Sequence, residues 1–276
     1  MKVAVTGKGG VGKTTVTAIL ARTLAAGGHP VVAVDADPNP NLGIALGIGV
    51  AATERLDAVA NALLRKRADH HHDPHAAAAD EDAAAGSQSH RAAPAAAHDQ
   101  PAREAEDLLD ELGCTVPGGV RLLQTGRIER PSDGCLCCGS HRATRQVFSD
   151  LVADDRMVVA DLEAGVTDLC WTDPKPGDAV VVVSTADRSS VEIARRALQV
   201  TRDLEVDRVI VVANRLEDPA EADAMRRMLD GAEVVEMPED AAITDADRRG
   251  VAAVDAAPGS PAVGAVAALA ARLLSG

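Results

Sequence analysis

The sequence predicts an α/β fold: a doubly wound, mostly parallel sheet flanked by helices. Two observations predict it. Short valine-rich runs recur along the 276 residues, apolar on both faces as strands buried in a parallel sheet must be. Helical patterns separate most of these runs, and strand–helix–strand repetition lays helices on both faces of such a sheet. A chain of this length encloses one large α/β core or at most two small ones; a single domain over 1–276 is expected.

The first strand is expected at Val3–Thr6 and the first helix at Thr14–Ala26, where Gly27-Gly28 supplies a stop. Further strands are expected at Val31–Val34, Arg121–Leu123, Met157–Ala160, Ala179–Ser184 and Arg208–Ala213, with a weaker one at Glu233–Glu236. Ser189-x-x-Glu192 has the form of a capping box opening a helix to about Asp203. Val263–Leu274 carries Ala, Val and Leu with Arg272 as its one charge, and reads as a core-packing helix. Arg67 to roughly Arg103 breaks the alternation. It is Ala, His, Asp and Pro with almost no large apolar residue, too little to offset ordering entropy, so a disordered or weakly helical surface insertion is expected. Six of the eight histidines lie in it: His70, His71, His72, His75, His90 and His98. Either this is low-complexity drift or it is a weak reservoir for a transition metal.

Composition excludes several functions. With 28 Lys+Arg against 42 Asp+Glu the net charge is −14, which a nucleic-acid backbone repels, and no basic patch offsets it. Phe148 and Trp171 are the only aromatics, too few for base-stacking platforms. No apolar run reaches the ~18 residues of a membrane span. The opening MKVAVTG is too short for a signal peptide, so a cytoplasmic protein is expected. Of the five lysines, Lys8 and Lys13 fall in one motif.

That motif is Gly7-Lys8-Gly9-Gly10-Val11-Gly12-Lys13-Thr14-Thr15. It is G-x-x-x-x-G-K-T between the first strand and the first helix, the context a phosphate-binding loop requires. The glycines let backbone N–H groups close around phosphate oxygens, and the helix N-terminus adds a positive dipole. Lys13 should bridge the β- and γ-phosphates of ATP, the Thr14 hydroxyl should ligate Mg²⁺, and Thr15 should reach the α-phosphate.

Lys8 sets the loop apart. In K-G-G-V-G-K-T it resembles the signature lysine of the MinD, ParA, ArsA and nitrogenase iron protein superfamily, the deviant Walker A ATPases. The resemblance implies ATP hydrolysis by a homodimer in which Lys8 crosses a two-fold interface to the partner's nucleotide, as an arginine finger would. It makes Asp37, in Asp35-Ala-Asp37-Pro38-Asn39, the switch I aspartate that orients the attacking water, with Asp35 near the Mg²⁺ shell. In Asp161-Leu162-Glu163-Ala164-Gly165, Asp161 matches a Walker B carboxylate and Gly165 the switch II glycine that senses the γ-phosphate. Asn214 falls where the superfamily reads the adenine edge. Met237-Pro238-Glu239 resembles the segment whose backbone flanks the purine.

Cys135-Leu136-Cys137-Cys138 lies in a glycine-bounded loop before a helix expected from near Ser140. A thiolate near a helix N-terminus is ready for a soft metal. One C-x-C supplies two ligands; two copies at a two-fold axis supply four sulfurs, which suits nickel or zinc. The alternative is buried or merely reactive cysteine. Cys114 and Cys170 are isolated and read as packing residues. Gly126-Arg127-Ile128-Glu129, Gly134-Cys135-Leu136-Cys137 and Asp161-Leu162-Glu163-Ala164-Gly165-Val166 occur in the order found in the ATPases that mature carbon monoxide dehydrogenase (CooC type). The resemblance runs from residue 1 to about 250, apart from the insertion. It implies that Cys135 and Cys137 of both subunits hold one metal ion, that nucleotide state controls the dimer, and that nickel goes to a client metalloenzyme. Cys138 is an addition to that pattern and could substitute for either neighbour.

Two other readings stand beside this one. A ParA- or MinD-like positioning ATPase needs a basic surface or a basic amphipathic tail with aromatic anchors, and neither is present. An iron–sulfur reductase like nitrogenase iron protein needs interfacial cysteines, and Cys170, nine residues after Asp161, is a poor match.

Overall fold

A computed structural model describes residues 1–60, 62, 99–127, 147–151, 155–171 and 177–275. The histidines of the insertion and Cys135, Cys137 and Cys138 lie outside the described residues, as does the helix start near Ser140.

The chain runs β1 (Lys2–Gly7), α1 (Lys13–Ala26), β2 (Val31–Asp35), α2 (Leu42–Ala45) and α3 (Val50–Thr53). It continues with α4 (Asp99–Leu112), β3 (Cys114–Thr115), β4 (Arg121–Gln124), β5 (Met157–Asp161), α5 (Thr167–Trp171) and β6 (Ala179–Ser184). It ends with α6 (Arg188–Asp203), β7 (Arg208–Leu216), α7 (Pro219–Met228), β8 (Glu233–Pro238), α8 (Ala241–Arg249), α9 (Ala253–Ala256) and α10 (Pro261–Leu274). Eight strands form one sheet in the order β3-β4-β2-β5-β1-β6-β7-β8. Every pairing is parallel except β3 with β4.

The valine runs are buried on both faces, as their composition requires. Val3, Ala33, Val159, Val181 and Val212 pack under α1 and α10; Ala4, Val34, Val158, Val182 and Val211 pack under α4, α6 and α7. The C-terminal helix α10 buries Val263, Val266, Leu269 and Leu273 and packs against α1 and β8, the core role expected of it. No helix among the described residues is long and apolar enough to cross a membrane.

Several boundaries differ from expectation for local reasons. β3 was not expected: two residues make no periodic signal. Helix α4 begins at Asp99, inside the range assigned to the insertion. Strand β7 runs on through Asn214, with a bulge between Ala213 and Leu216 that leaves Arg215 at φ +57°. The capping box at Ser189 is not formed. Asp187 is the N-cap of α6 and accepts from the Ser190 N–H, while Glu192 pairs with Arg195 and Arg196 instead. An aspartate two residues earlier is an equally good cap, and it wins here because Thr185 and Ser189 hydroxyls also donate to it.

Helix α1 has unlike ends. Its C-terminus closes in a Schellman arrangement: the Gly28 N–H bonds Ala25 O at 2.9 Å and the His29 N–H bonds Leu24 O at 3.2 Å, with Gly28 at φ +87°. Its N-cap is Gly12, with no side-chain cap and no acidic residue in the first turn.

Candidate functional site

The site forms where β1, β2, β5 and β7 end, the edge at which α/β sheets take ligands. The loop 7–12 joins β1 to α1. Gly12 sits at φ +94°, and a Cβ there would stand 2.4 Å from Asn214 Nδ2, so a close approach to the loop requires glycine. With no side-chain cap on α1, its first N–H groups are left for a phosphate ligand. Lys13 is buried in the same turn.

Below the loop lie two carboxylates. Asp161 accepts from Thr14 Oγ1 at 2.6 Å and from Thr17 Oγ1 at 3.4 Å. Asp35, paired with Asp161 across β2 and β5, accepts from the Leu42 N–H at 2.9 Å and the Asp37 N–H at 3.3 Å. Both are almost fully buried. Desolvation pushes Asp161 up to about 6, against the Thr14 hydrogen bond and the Lys13 ammonium, while the Asp37 charge adds to the rise. Burial, then the neighbouring Asp161 charge, pushes Asp35 well above the ordinary range. Two crowded acidic groups beside a threonine hydroxyl are a hard-oxygen set that suits Mg²⁺. Held by Thr14 and Asp161, such an ion would offset the charge of bound phosphates.

The shift has a measurable consequence. Asp161 rises from 3.8 to about 6 on folding, so the folded chain holds that proton more tightly. The stability this group contributes therefore falls as pH rises from near 4 through about 6 and is level above. In EDTA the protein should be less stable at pH 8 than at pH 5 by on the order of 1–2 kcal/mol from this group. Thermal melts of Asp161→Asn should show that slope flattened; an unchanged slope would place its origin elsewhere.

Asp37 is half-buried and accepts from the Asn39 N–H at 2.8 Å, so it lies at the rim, folded onto its own turn. Gly165 is tied to the phosphate loop: its N–H donates to Gly7 O at 2.9 Å, and Thr6 Oγ1 donates to Gly165 O at 2.7 Å. A cleft on the other side of the loop is lined by Gly12, Thr15, Asn214, Arg215, Pro238 and Glu239. Asn214 is buried, and its Nδ2 donates to Val11 O at 2.7 Å. It braces the loop, with its amide already engaged at the cleft floor.

Lys8 lies against its own chain. Its ammonium donates to Ser189 Oγ at 2.6 Å and contacts Asp187 Oδ1 at 3.4 Å. Hydrogen bonds from Ser189 and Thr185 hold the Asp187 carboxyl well below the usual range. Thr17 escaped sequence reasoning, although a hydroxyl three residues after Thr14 on an otherwise apolar helix face was a signal. Thr125 escaped it as well: its N–H and Oγ1 both donate to Asp35 O, at 2.9 and 3.2 Å. Cys114 is partly buried and packs on the core. Among the described residues, no group of three or more His, Cys, Asp and Glu side chains is arranged to hold a metal ion.

A glycine loop on an uncapped helix, a buried lysine and a magnesium-suited carboxylate pair define a P-loop ATPase. The chain belongs to the CobQ/CobB/MinD/ParA nucleotide binding domain family, which it matches over residues 2–262. Among curated proteins it is 29% identical over 265 residues to the carbon monoxide dehydrogenase accessory protein CooC of Rhodospirillum rubrum, covering 94% of this chain and 91% of that protein. It is 28% identical over 219 residues to an uncharacterized ATP-binding protein of Methanocaldococcus jannaschii, covering 78% of this chain and 75% of that protein. Among solved structures it is similar to the septum site-determining protein MinD of Pyrococcus horikoshii complexed with Mg-ADP. There the TM-score is 0.67 at 19% identity, over 99% of this chain and 96% of that one. Cobyrinic acid a,c-diamide synthase of Mycobacterium smegmatis, with bound ATP analog and magnesium, gives 0.60 at 18% identity, over 99% and 93%. At these identities the structural likeness is one of fold.

Proposed function

We propose that this chain, as one P-loop domain over 1–276, is a homodimeric metallochaperone ATPase that loads a metal into a client metalloenzyme such as carbon monoxide dehydrogenase. The observation that carries the reading is the match, over 94% of the chain, to an accessory protein of that enzyme. The Cys135-x-Cys137 motif supports it independently by chemistry, because thiolates hold a soft cargo ion such as nickel or zinc.

In this reading Lys13 neutralises the β- and γ-phosphates, Thr14 and Asp161 hold the magnesium, and Asp37 orients the water. Lys8 leaves Asp187 and Ser189 to reach the nucleotide of the partner subunit. Pro238 and Glu239 flank the purine. One C-x-C offers two sulfurs and a closed site wants four, so the cargo ion is shared between two chains. ATP that strengthens the interface then strengthens metal binding, and metal favours the ATP-bound dimer by the same free energy.

Equilibrium dialysis against nickel and zinc, with and without a non-hydrolysable ATP analogue, tests this by elemental analysis. One tight metal per dimer is expected. Single replacements should be mild, because Cys138 can stand in, whereas the Cys135→Ser/Cys137→Ser double variant should lose the tight ion. Deleting 69–100 should remove only weakly held metal. One metal per monomer, indifferent to the double variant, would sink the shared site.

A further inference from the structure

The ligand edge of the sheet carries a third buried polar side chain that the site described above leaves unused. Gln124 ends β4 and is paired with Asp35, which is paired with Asp161. The three stand in one row across adjacent strands. Gln124 is 2% exposed, and its Nε2 has no hydrogen-bond partner among the described residues. Buried donors in folded chains nearly all find an acceptor, so an orphan beside a functional row calls for a reason. Strand alternation places Gln124 on the face that Asp35 uses. Leu122 packs with Ala33 in the α1 layer, and Leu123 packs with Val34 in the opposite one.

Asp35 is the acceptor paired with it in this row. Its bond from Leu42, at 2.9 Å, comes from the start of α2. Its bond from Asp37, at 3.3 Å, is the longer of the two, and it comes from the residue read here as orienting the attacking water. If Asp37 turns toward a bound triphosphate, its backbone leaves Asp35 and a buried carboxylate oxygen loses a donor. The neighbouring strand holds an unused one.

We infer that Gln124 is a positioning residue for hydrolysis: its orphan amide, one strand from Asp35, takes over the hydrogen bond that the Asp37 N–H gives up and so steadies Asp35 while Asp37 acts. The inference rests on the assignment of Asp37 as the water-orienting group. It gives β4, the strand from which the chain leads toward the cysteine segment, a direct part in the ATPase cycle.

Gln124→Met tests it, since methionine keeps the length and apolar stem but donates nothing. Turnover should fall roughly ten- to a hundredfold, as loss of a hydrogen bond to a charged group does. KM for ATP and nucleotide Kd should stay within about twofold. The variant should melt no lower than wild type, because an unsatisfied buried donor has been removed. Wild-type turnover in Gln124→Met would overturn the inference. So would turnover and melting temperature falling together, which marks a merely structural residue. Asp37→Asn is measured alongside. If it keeps full turnover, the switch assignment itself is lost. If it is slow while Gln124→Met is normal, only the role of Gln124 is lost.

Discussion

Lys13→Ala is expected to fold and to bind no measurable ATP. The ammonium is buried at the first turn of α1, directly behind a loop whose backbone is shaped for phosphate. Removing one partner of a desolvated charge pair costs about 3–5 kcal/mol, which is roughly a hundred- to several-thousandfold loss of affinity. Titration calorimetry with ATP and Mg²⁺ reads the result, and circular dichroism checks the fold. Binding within about tenfold of wild type would mean that the glycine loop alone carries the phosphates. Lys8→Ala is the contrast: it should bind ATP and lose the ATP-induced dimer, because among the described residues the lysine side chain is engaged only with Asp187 and Ser189. Light scattering with an ATP analogue decides, and an unchanged dimer would remove the assignment in trans.

Asp37→Asn should bind ATP about as well as wild type and hydrolyse it some 10²–10⁴-fold more slowly, the usual loss when a group that orients or activates water is removed. The side chain is half-buried at the rim and its only described acceptor contact is the Asn39 N–H two residues on, a local turn that asparagine can also form. Folding and nucleotide affinity should therefore survive while the chemical step suffers. Single-turnover phosphate release measures that step directly. Wild-type turnover in this variant would pass the role to another carboxylate, of which Asp35 is the neighbour best placed.

The parts that sequence foretold share one physical property: each is decided locally. Valine at successive positions can only be a strand wetted on neither side, and a glycine loop ending in Lys13-Thr14 can only work at a strand–helix junction. The parts it missed are decided by distant partners. Nothing near Lys8 says that its ammonium rests on Asp187, which lies 179 positions away in sequence. Nothing near Gln124 says that its amide is left over, because that depends on β4 lying beside β2. Asn214 was expected where an adenine edge is read, and its bond to Val11 O could not be foreseen, because it required the sheet order to bring β7 against the loop. Asp187 displaced Ser189 as the cap because four donors converge on it, counting Lys8 from the phosphate loop.

The unlike ends of α1 carry a consequence for motion. A helix finished at its C-terminus by Gly28 and left open at Gly12 frays from one side. Its first turn has no side-chain cap among the described residues, so in hydrogen–deuterium exchange its first amides should label quickly in the free protein while those of the last turns stay protected. ATP supplies the missing acceptors. Protection should then spread from the first turn of α1 into the rest of the helix, and through its packing on α10 across the layer the two helices share. Ligand occupancy would in that way be written as a gradient of opening rates along one helix, legible without any change in its position.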